Sequence, residues 1–141
     1  MRRVTDSTLI GSVLLHKEVF PYIGDDHTPD DWRPVVSPAV VYLMPDCNRA
    51  CFSFMPRTAV LWDAHVAVLP EAREHSVEFG AAASQWMFDN TPCRCIVALS
   101  YRPQTARLAE RIGFKRIGTL PKSKLRGGVL LDQEIFALGA S

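Results

Sequence analysis

Leu61 to Phe88, LWDAHVAVLPEAREHSVEFGAAASQWMF, decides how the rest of this sequence is read. An extended segment over Ala59–Leu69 stops at Pro70. A loop carrying Glu71, Arg73, Glu74 and His75 follows, and an Ala-rich helix is predicted from about Ser76 to Asn90. Side chains alternate along a strand, so Asp63, His65 and Ala67 project to one face and Trp62, Ala64, Val66 and Val68 to the other. The first turn of a helix leaves backbone N–H groups unpaired at the positive end of its dipole, a natural place for an anion. Two ionisable groups, Asp63 and His65, therefore share a strand face just upstream of a candidate anion loop.

Working downstream, Thr91-Pro92 breaks the chain and Cys93–Ser100, CRCIVALS, reads as a buried strand. Strand, helix, strand makes a β-α-β unit, which implies a parallel pair and a right-handed crossover. Pro103 suits a first helical turn, and the helix Gln104–Ile112 is amphipathic through Ala106, Ala109 and Ile112 before Gly113 stops it. Phe114–Leu120 is then a strand, Lys122–Arg126 a basic loop, Gly127-Gly128 a tight turn and Val129–Leu138 the last strand.

Upstream, Val40–Met44 and Ala50–Met55 form an antiparallel hairpin around Pro45–Arg49, and Pro56-Arg57 turns it into the central strand. Asp6 or Ser7 caps a helix running to about Val19, with Pro21 as its terminator. Any strand before that helix is absent or very short. Tyr22–Ser37 is too long for a simple connection and reads as a binding loop. In it His27 lies among Asp25, Asp26, Asp30 and Asp31, either a metal-ligating cluster or a solvated acidic loop.

A chain of 141 residues suits one domain spanning 1–141. Its 48% hydrophobic and 22% charged content is that of a globular protein, and a net charge of +1 gives no general field toward nucleic acid or an acidic membrane. No apolar run approaches the roughly 20 residues that span a bilayer. Met1-Arg2-Arg3 and Leu9–Leu15 imitate a signal peptide only in outline, because polar residues dilute the apolar stretch and no small-residue cleavage site follows. A cytoplasmic protein is expected. Cys47, Cys51, Cys93 and Cys95 lack zinc-knuckle spacing, so reduced thiols are expected, with no metal site.

The segment from Ala59 to Leu138 resembles the GNAT superfamily of N-acetyltransferases. The resemblance is carried by HVAVLPEAR before a helix, by ARLAERIGF ending in Gly113-Phe114 with Lys-Arg-Ile-Gly after it, and by a strand pair closing in DQEIFAL. Within that superfamily the chain is similar to small GNAT-like proteins encoded by bacteriophages and prophages. The resemblance implies an α/β fold with a central mixed sheet flanked by helices. It also implies acetyl-CoA as cosubstrate and an amine as acceptor, with a homodimer or a phage structural protein as further possible partners. The central strand and the strand after the helix, Ala64–Leu69 and Ile96–Ser100, would splay apart to admit pantetheine. Backbone groups of Val66, Ala67 and Val68 would hold it, and N–H groups of Arg73, Glu74, His75, Ser76, Val77 and Glu78 would hold the pyrophosphate.

The resemblance also assigns roles, each beside a plainer alternative. His65 stands where the superfamily carries a base, and Asp63 would orient it. The alternatives are a histidine bonded to a backbone carbonyl and a surface carboxylate. The superfamily's loop glycines are absent between Arg73 and Glu78, and Glu74 and Glu78 would repel a pyrophosphate that Arg73 and His75 attract. A tyrosine acid is usual four residues before the Gly-Phe pair, but here that position is Ala109; Ser100 or Tyr101 would replace it, or are simply polar strand-end residues. Lys122, Lys124 and Arg126 would reach coenzyme A phosphates or a partner, or be solvated. Two functions follow: acetyl transfer to an amine, or a catalytically silent GNAT-like binding or virion-associated protein.

Overall fold

Apolar residues alternate along the central strands, and the alternation gives one sheet two cores. The computed structural model describes every residue, Met1 to Ser141. In chain order the elements are β1 (Arg2–Arg3), α1 (Ser7–Leu14), α2 (Phe20–Ile23), β2 (Val41–Met44), β3 (Ala50–Pro56) and β4 (Leu61–Val68). A 3-10 turn, Pro70–His75, leads to α3 (Ser76–Asn90), β5 (Cys95–Ser100), α4 (Pro103–Ile112), β6 (Lys115–Arg126) and β7 (Val129–Gly139). The strands form a seven-stranded sheet in the order β1-β2-β3-β4-β5-β7-β6. Every neighbouring pair is antiparallel except β4 and β5, which are parallel across the α3 crossover.

On one face Val41, Leu43, Phe52, Phe54, Ile96 and Phe136 pack under α3 and α4, together with Trp62, Ala64, Val66 and Val68 of β4. On the other, Tyr42, Met44, Cys51 and Ala67 pack under Ile10, Val13 and Leu14 of α1. The split along β4 is the alternation read from its sequence, so Asp63 and His65 lie on the α1 side. Helix α4 ends as its Gly113 predicts. Gly113 has φ +119, and the Ala109 carbonyl accepts N–H bonds from Gly113 and Phe114, which closes the helix with a left-handed cap.

The structure corrects several sequence boundaries. Helix α1 ends at Leu14, five residues before Val19, and Asp6 is its cap. The Glu18 N–H bonds the His16 ring nitrogen, a local alternative to the helical ladder, and Pro21 starts the short α2 instead of stopping α1. Lys122–Arg126 is not a loop: β6 runs on to Arg126 through two register shifts. Lys122, at φ +51, absorbs the second shift, and its N–H is held by the Asp132 carboxylate at 2.8 Å. Strand β5 begins at Cys95, because Arg94 and Cys95 both donate to the Val60 carbonyl and put Cys93 outside the ladder. No helix is long and apolar enough to cross a membrane.

Candidate active site

The parallel pair β4–β5 holds together for three residue pairs and then opens. Leu61 faces Cys95, Trp62 faces Ile96 and Asp63 faces Val97, and there the pairing ends. Beyond it Ala64–Val68 still pair with β3, and Ala98–Ser100 still pair with β7. Each strand therefore continues with its outer edge bonded and its inner edge free. Buried backbone groups need partners, so a sheet with such a gap is built to receive one. The opening starts two residues later on β5 than the resemblance implies, since Ile96 and Val97 are still paired.

His65 sits on the free stretch of β4 and makes no hydrogen bond. The alternative of a histidine tied to a backbone carbonyl has no counterpart in the structure. Solvent reaches the ring, yet surrounding protein crowds it enough to push its pKa below the ordinary histidine value; Asp63 opposes that shift and Lys124 adds to it. The residue is thus reached by solvent yet flanked by protein. Its nitrogens are then neutral and free to accept a proton at physiological pH. Asp63 shares the face but is bonded to Arg57 at 2.5 Å, so it acts on His65 through its charge and not through a hydrogen bond.

At the exit of β5 the two candidate acids part ways. Ser100 is buried, and its hydroxyl donates to the Arg102 carbonyl at 2.8 Å and accepts the Arg102 N–H at 3.2 Å, a turn lock leading into α4. Tyr101 stays half-exposed. Its hydroxyl donates to the Tyr22 carbonyl at 3.1 Å and accepts from Arg126, whose guanidinium also donates to the Pro21 carbonyl at 2.6 Å. Cations gather on the two tyrosine rings: Arg102 lies 3.9 Å from the Tyr22 centroid, and Arg126 and Lys124 lie 4.9 and 5.2 Å from that of Tyr101. Sequence reasoning named Tyr101, Lys124 and Arg126 but could not gather them with Tyr22, since the contacts span 79 and 105 positions of chain.

The acidic loop has a structural task. The Asp26 carboxylate accepts the N–H groups of Gly127 and Gly128 at 2.8 and 2.9 Å, which holds its pKa below the usual carboxylate value. It staples the α2 loop to the β6–β7 hairpin beside the tyrosines. Asp25 is engaged by the His27 N–H, and nowhere do three His, Cys, Asp or Glu side chains converge. All four cysteines are free thiols; burial pushes Cys51 up to about 12 and raises Cys93, so neither is a ready nucleophile.

At the exit of β4, Arg73–His75 lie in the 3-10 turn and Ser76–Glu78 in the first turn of α3. No side chain caps α3; the 3-10 turn runs straight into it, and the Ser76 N–H donates to the Arg73 carbonyl. The side chains there are mixed. His75 lies 3.5 Å from Glu74 and 3.6 Å from Glu78, Glu71 is paired with Arg49, and Arg73 reaches the Glu18 carbonyl. Gly80 serves packing instead of phosphate approach. A Cβ there would stand 2.2 Å from Ile112 Cδ1, so its absence lets α4 close on α3. Ala109, in place of the superfamily tyrosine, is buried in that same contact layer.

A mixed sheet with helices on both faces, whose two parallel strands part beyond a β-α-β crossover, is the GNAT N-acetyltransferase fold. A solved variant of the spermidine N-acetyltransferase from Vibrio cholerae superposes with a TM-score of 0.65 at 13% identity, over 73% of this chain and 67% of that one. A GNAT-family acetyltransferase from Bacillus anthracis gives 0.60 at 17% identity, over 72% and 66%. The chain thus spans about two thirds of the length of these structures, and at such identities the likeness is one of fold. No protein-family model matches the sequence, and no curated protein matches it.

Proposed function

We propose that this protein is an acyl-CoA-dependent N-acyltransferase that moves an acetyl group from acetyl-CoA to an amine, with His65 as the base. The observation that carries the reading is the end of β4–β5 pairing at Asp63 and Val97, with an unbonded histidine two residues further along β4. Bound acetyl-CoA supplies an activated thioester; the chain does the rest. The free inner edge over Val66, Ala67 and Val68 offers N–H and C=O groups to the amide-rich pantetheine arm, about 3.3 Å per residue along the strand. The positive end of the α3 dipole at the Arg73–Glu78 segment takes the pyrophosphate, with Arg73 as the countercharge. His65, kept neutral by its surroundings, removes the ammonium proton. The amine then attacks the thioester carbonyl, forming the C–N bond as the C–S bond breaks. Tyr101, whose phenol oxygen is supported by Arg126, gives its proton to the leaving thiolate and regains one from the acylated nitrogen, which sheds its second proton to become the amide; Ser100 positions α4.

A second reading, a silent GNAT-like binding protein, is favoured by the β4 exit. Glu71, Glu74 and Glu78 cluster where the pyrophosphate would sit, and no loop glycine eases its approach. Calorimetric titration with acetyl-CoA and then CoA decides between the two. Saturable micromolar binding that weakens in Arg73→Glu and survives in His65→Ala supports the transferase. No heat and no thermal shift at millimolar ligand rejects it in favour of the binding protein.

A further inference from the structure

We infer that the amine accepted at His65 also carries a carboxylate, because the mouth around that histidine is lined by cations that no carboxylate of the chain neutralises. The inference rests on the transferase reading and names its acceptor class. Arg102, Lys124 and Arg126 are each half-buried on a tyrosine ring, and none has a carboxylate oxygen within 4.0 Å, whereas Arg57, just after β3, and Arg116 of β6 do. The neighbouring acids are committed elsewhere: Asp26 to the Gly127 and Gly128 amides, Asp63 to Arg57, Asp132 to the Lys122 N–H, and Glu134 to Arg116 and Thr119. Asp26 alone lies close enough to temper Arg126.

A guanidinium held over a ring without a hydrogen-bond partner keeps N–H donors for a carboxylate. Arg102 lies 3.9 Å over Tyr22 and makes no ion pair or side-chain hydrogen bond, so its donors are open. Lys124 is likewise unbonded, and it is near enough to His65 to resist protonation of the ring. Its β6 position pairs with Leu131 of β7, which shares the sheet face of Ile135 and Ala137 and, through β5, of Val97 and Leu99. Lys124 and the base therefore share one sheet face, and the Tyr101 and Tyr22 rings join Arg126 and Arg102 to that side. A polyamine approaching it meets the like charges of Lys124, Arg102 and Arg126; an amino acid brings its amine to His65 and its carboxylate to Arg102 and Lys124.

The test is acetyl-CoA turnover, read as thiol release, across the common amino acids, each paired with its own C-terminal amide, with spermidine as the polyamine. We expect at least one amino acid to exceed its amide by about tenfold in kcat/KM. In Arg102→Gln and Lys124→Gln that preference should collapse through a raised KM for the acid. A merely structural defect would lower acid and amide alike. Amides or spermidine used as well as the acids, or acetyl-CoA bound with no amino acid accepted, overturns the inference while leaving the transferase intact. Failure of acetyl-CoA to bind overturns the transferase reading itself, and the inference falls with it.

Discussion

The two exits from the β4–β5 opening are built from opposite materials. Where β4 leaves the sheet, Glu74 and Glu78 flank His75 at the start of α3, and Glu71 of the same turn is paired with Arg49. Where β5 leaves it, Arg102, Lys124 and Arg126 lie on Tyr22 and Tyr101 with no acidic partner. An anion reaching the first exit meets the helix dipole, Arg73 and His75 against three glutamates. At the second, the side chains themselves favour it. The difference teaches that the side chains which attract an anion gather at the β5 exit, while at the β4 exit acids outnumber bases. His65 stands between them, which makes it the residue whose loss should be felt most.

His65→Gln is expected to lower kcat/KM by about a hundredfold or more, the usual contribution of a positioned base, with acetyl-CoA affinity retained. Loss of affinity instead would mean that the histidine belongs to the cofactor side and would erase the contrast between the exits. The pH profile sharpens the assignment. The base is active when neutral, and its pKa is depressed, so the acidic limb should fall below the ordinary histidine value of about 6.5. Lys124→Gln removes a like charge and should move the limb up; Asp63→Asn removes an opposite charge and should move it down. Equal movement in one direction would show that neither neighbour is sensed by the base.

The closed half of the strand pair supplies the control. Ile96 is fully buried in the α3–α4 core, on the last turn-free stretch where β4 and β5 are still paired. Ile96→Ala should cost about 2–5 kcal/mol of stability by urea unfolding, whereas Val66→Ala, half-buried on the open stretch, should cost less. A larger cost at Val66 would mean that the open half is packed shut.

Most of the fold was legible because periodicity and punctuation agree with it. Period-two alternation sorted β4 correctly between its faces, Pro70 stopped it, and Gly113 ended α4 at the residue it marks. The misread boundaries have separate causes: local bonds at His16 and Val60 cut α1 and β5 short, and basic residues carry β6 on. Lys122–Arg126 looks like a solvated loop, but a bulge at Lys122 carries the strand through it, and the pairing with β7 outweighs local propensity. Strand parity put Asp63 and His65 on one face of β4, where the structure has them. The tyrosine–arginine cluster was not legible, since Tyr22, Arg102 and Arg126 meet only through the tertiary fold. Asp26 was visible only as part of an acidic run, and nothing local distinguishes it from Asp25.

Asp26 offers the next test, directed at the basic exit. Its carboxylate pKa is lowered by the Gly128 and Gly127 amides, so the staple is present above the ordinary carboxylate pKa and is lost as pH falls through the lowered folded value. Asp26→Ala should speed amide hydrogen exchange at Gly127 and Gly128 by about tenfold at neutral pH while leaving the β3–β4 amides unchanged. A weakened acid-over-amide preference in the same variant would show that the hairpin must be held for Arg126 and Lys124 to act. Unchanged exchange at both glycines would remove the staple from the account of this exit.

The smallest effect belongs to the acidic exit and has two opposing signs. Glu78 lies in the first turn of α3, where a negative charge favours the helix dipole but opposes an incoming pyrophosphate; Glu74 stands one turn before it. Glu74→Gln with Glu78→Gln should therefore tighten acetyl-CoA about two- to fivefold by calorimetry while slightly lowering the melting temperature, because the helix loses the charge at its start. The gain should shrink as salt is raised, since these side chains are exposed and their repulsion is screened over about 10 Å at 0.1 M. Arg73→Glu should act in the reverse direction. If the double variant leaves affinity unchanged at low salt, the glutamates do not face the phosphates, and the contrast between the two exits reduces to the cationic one alone.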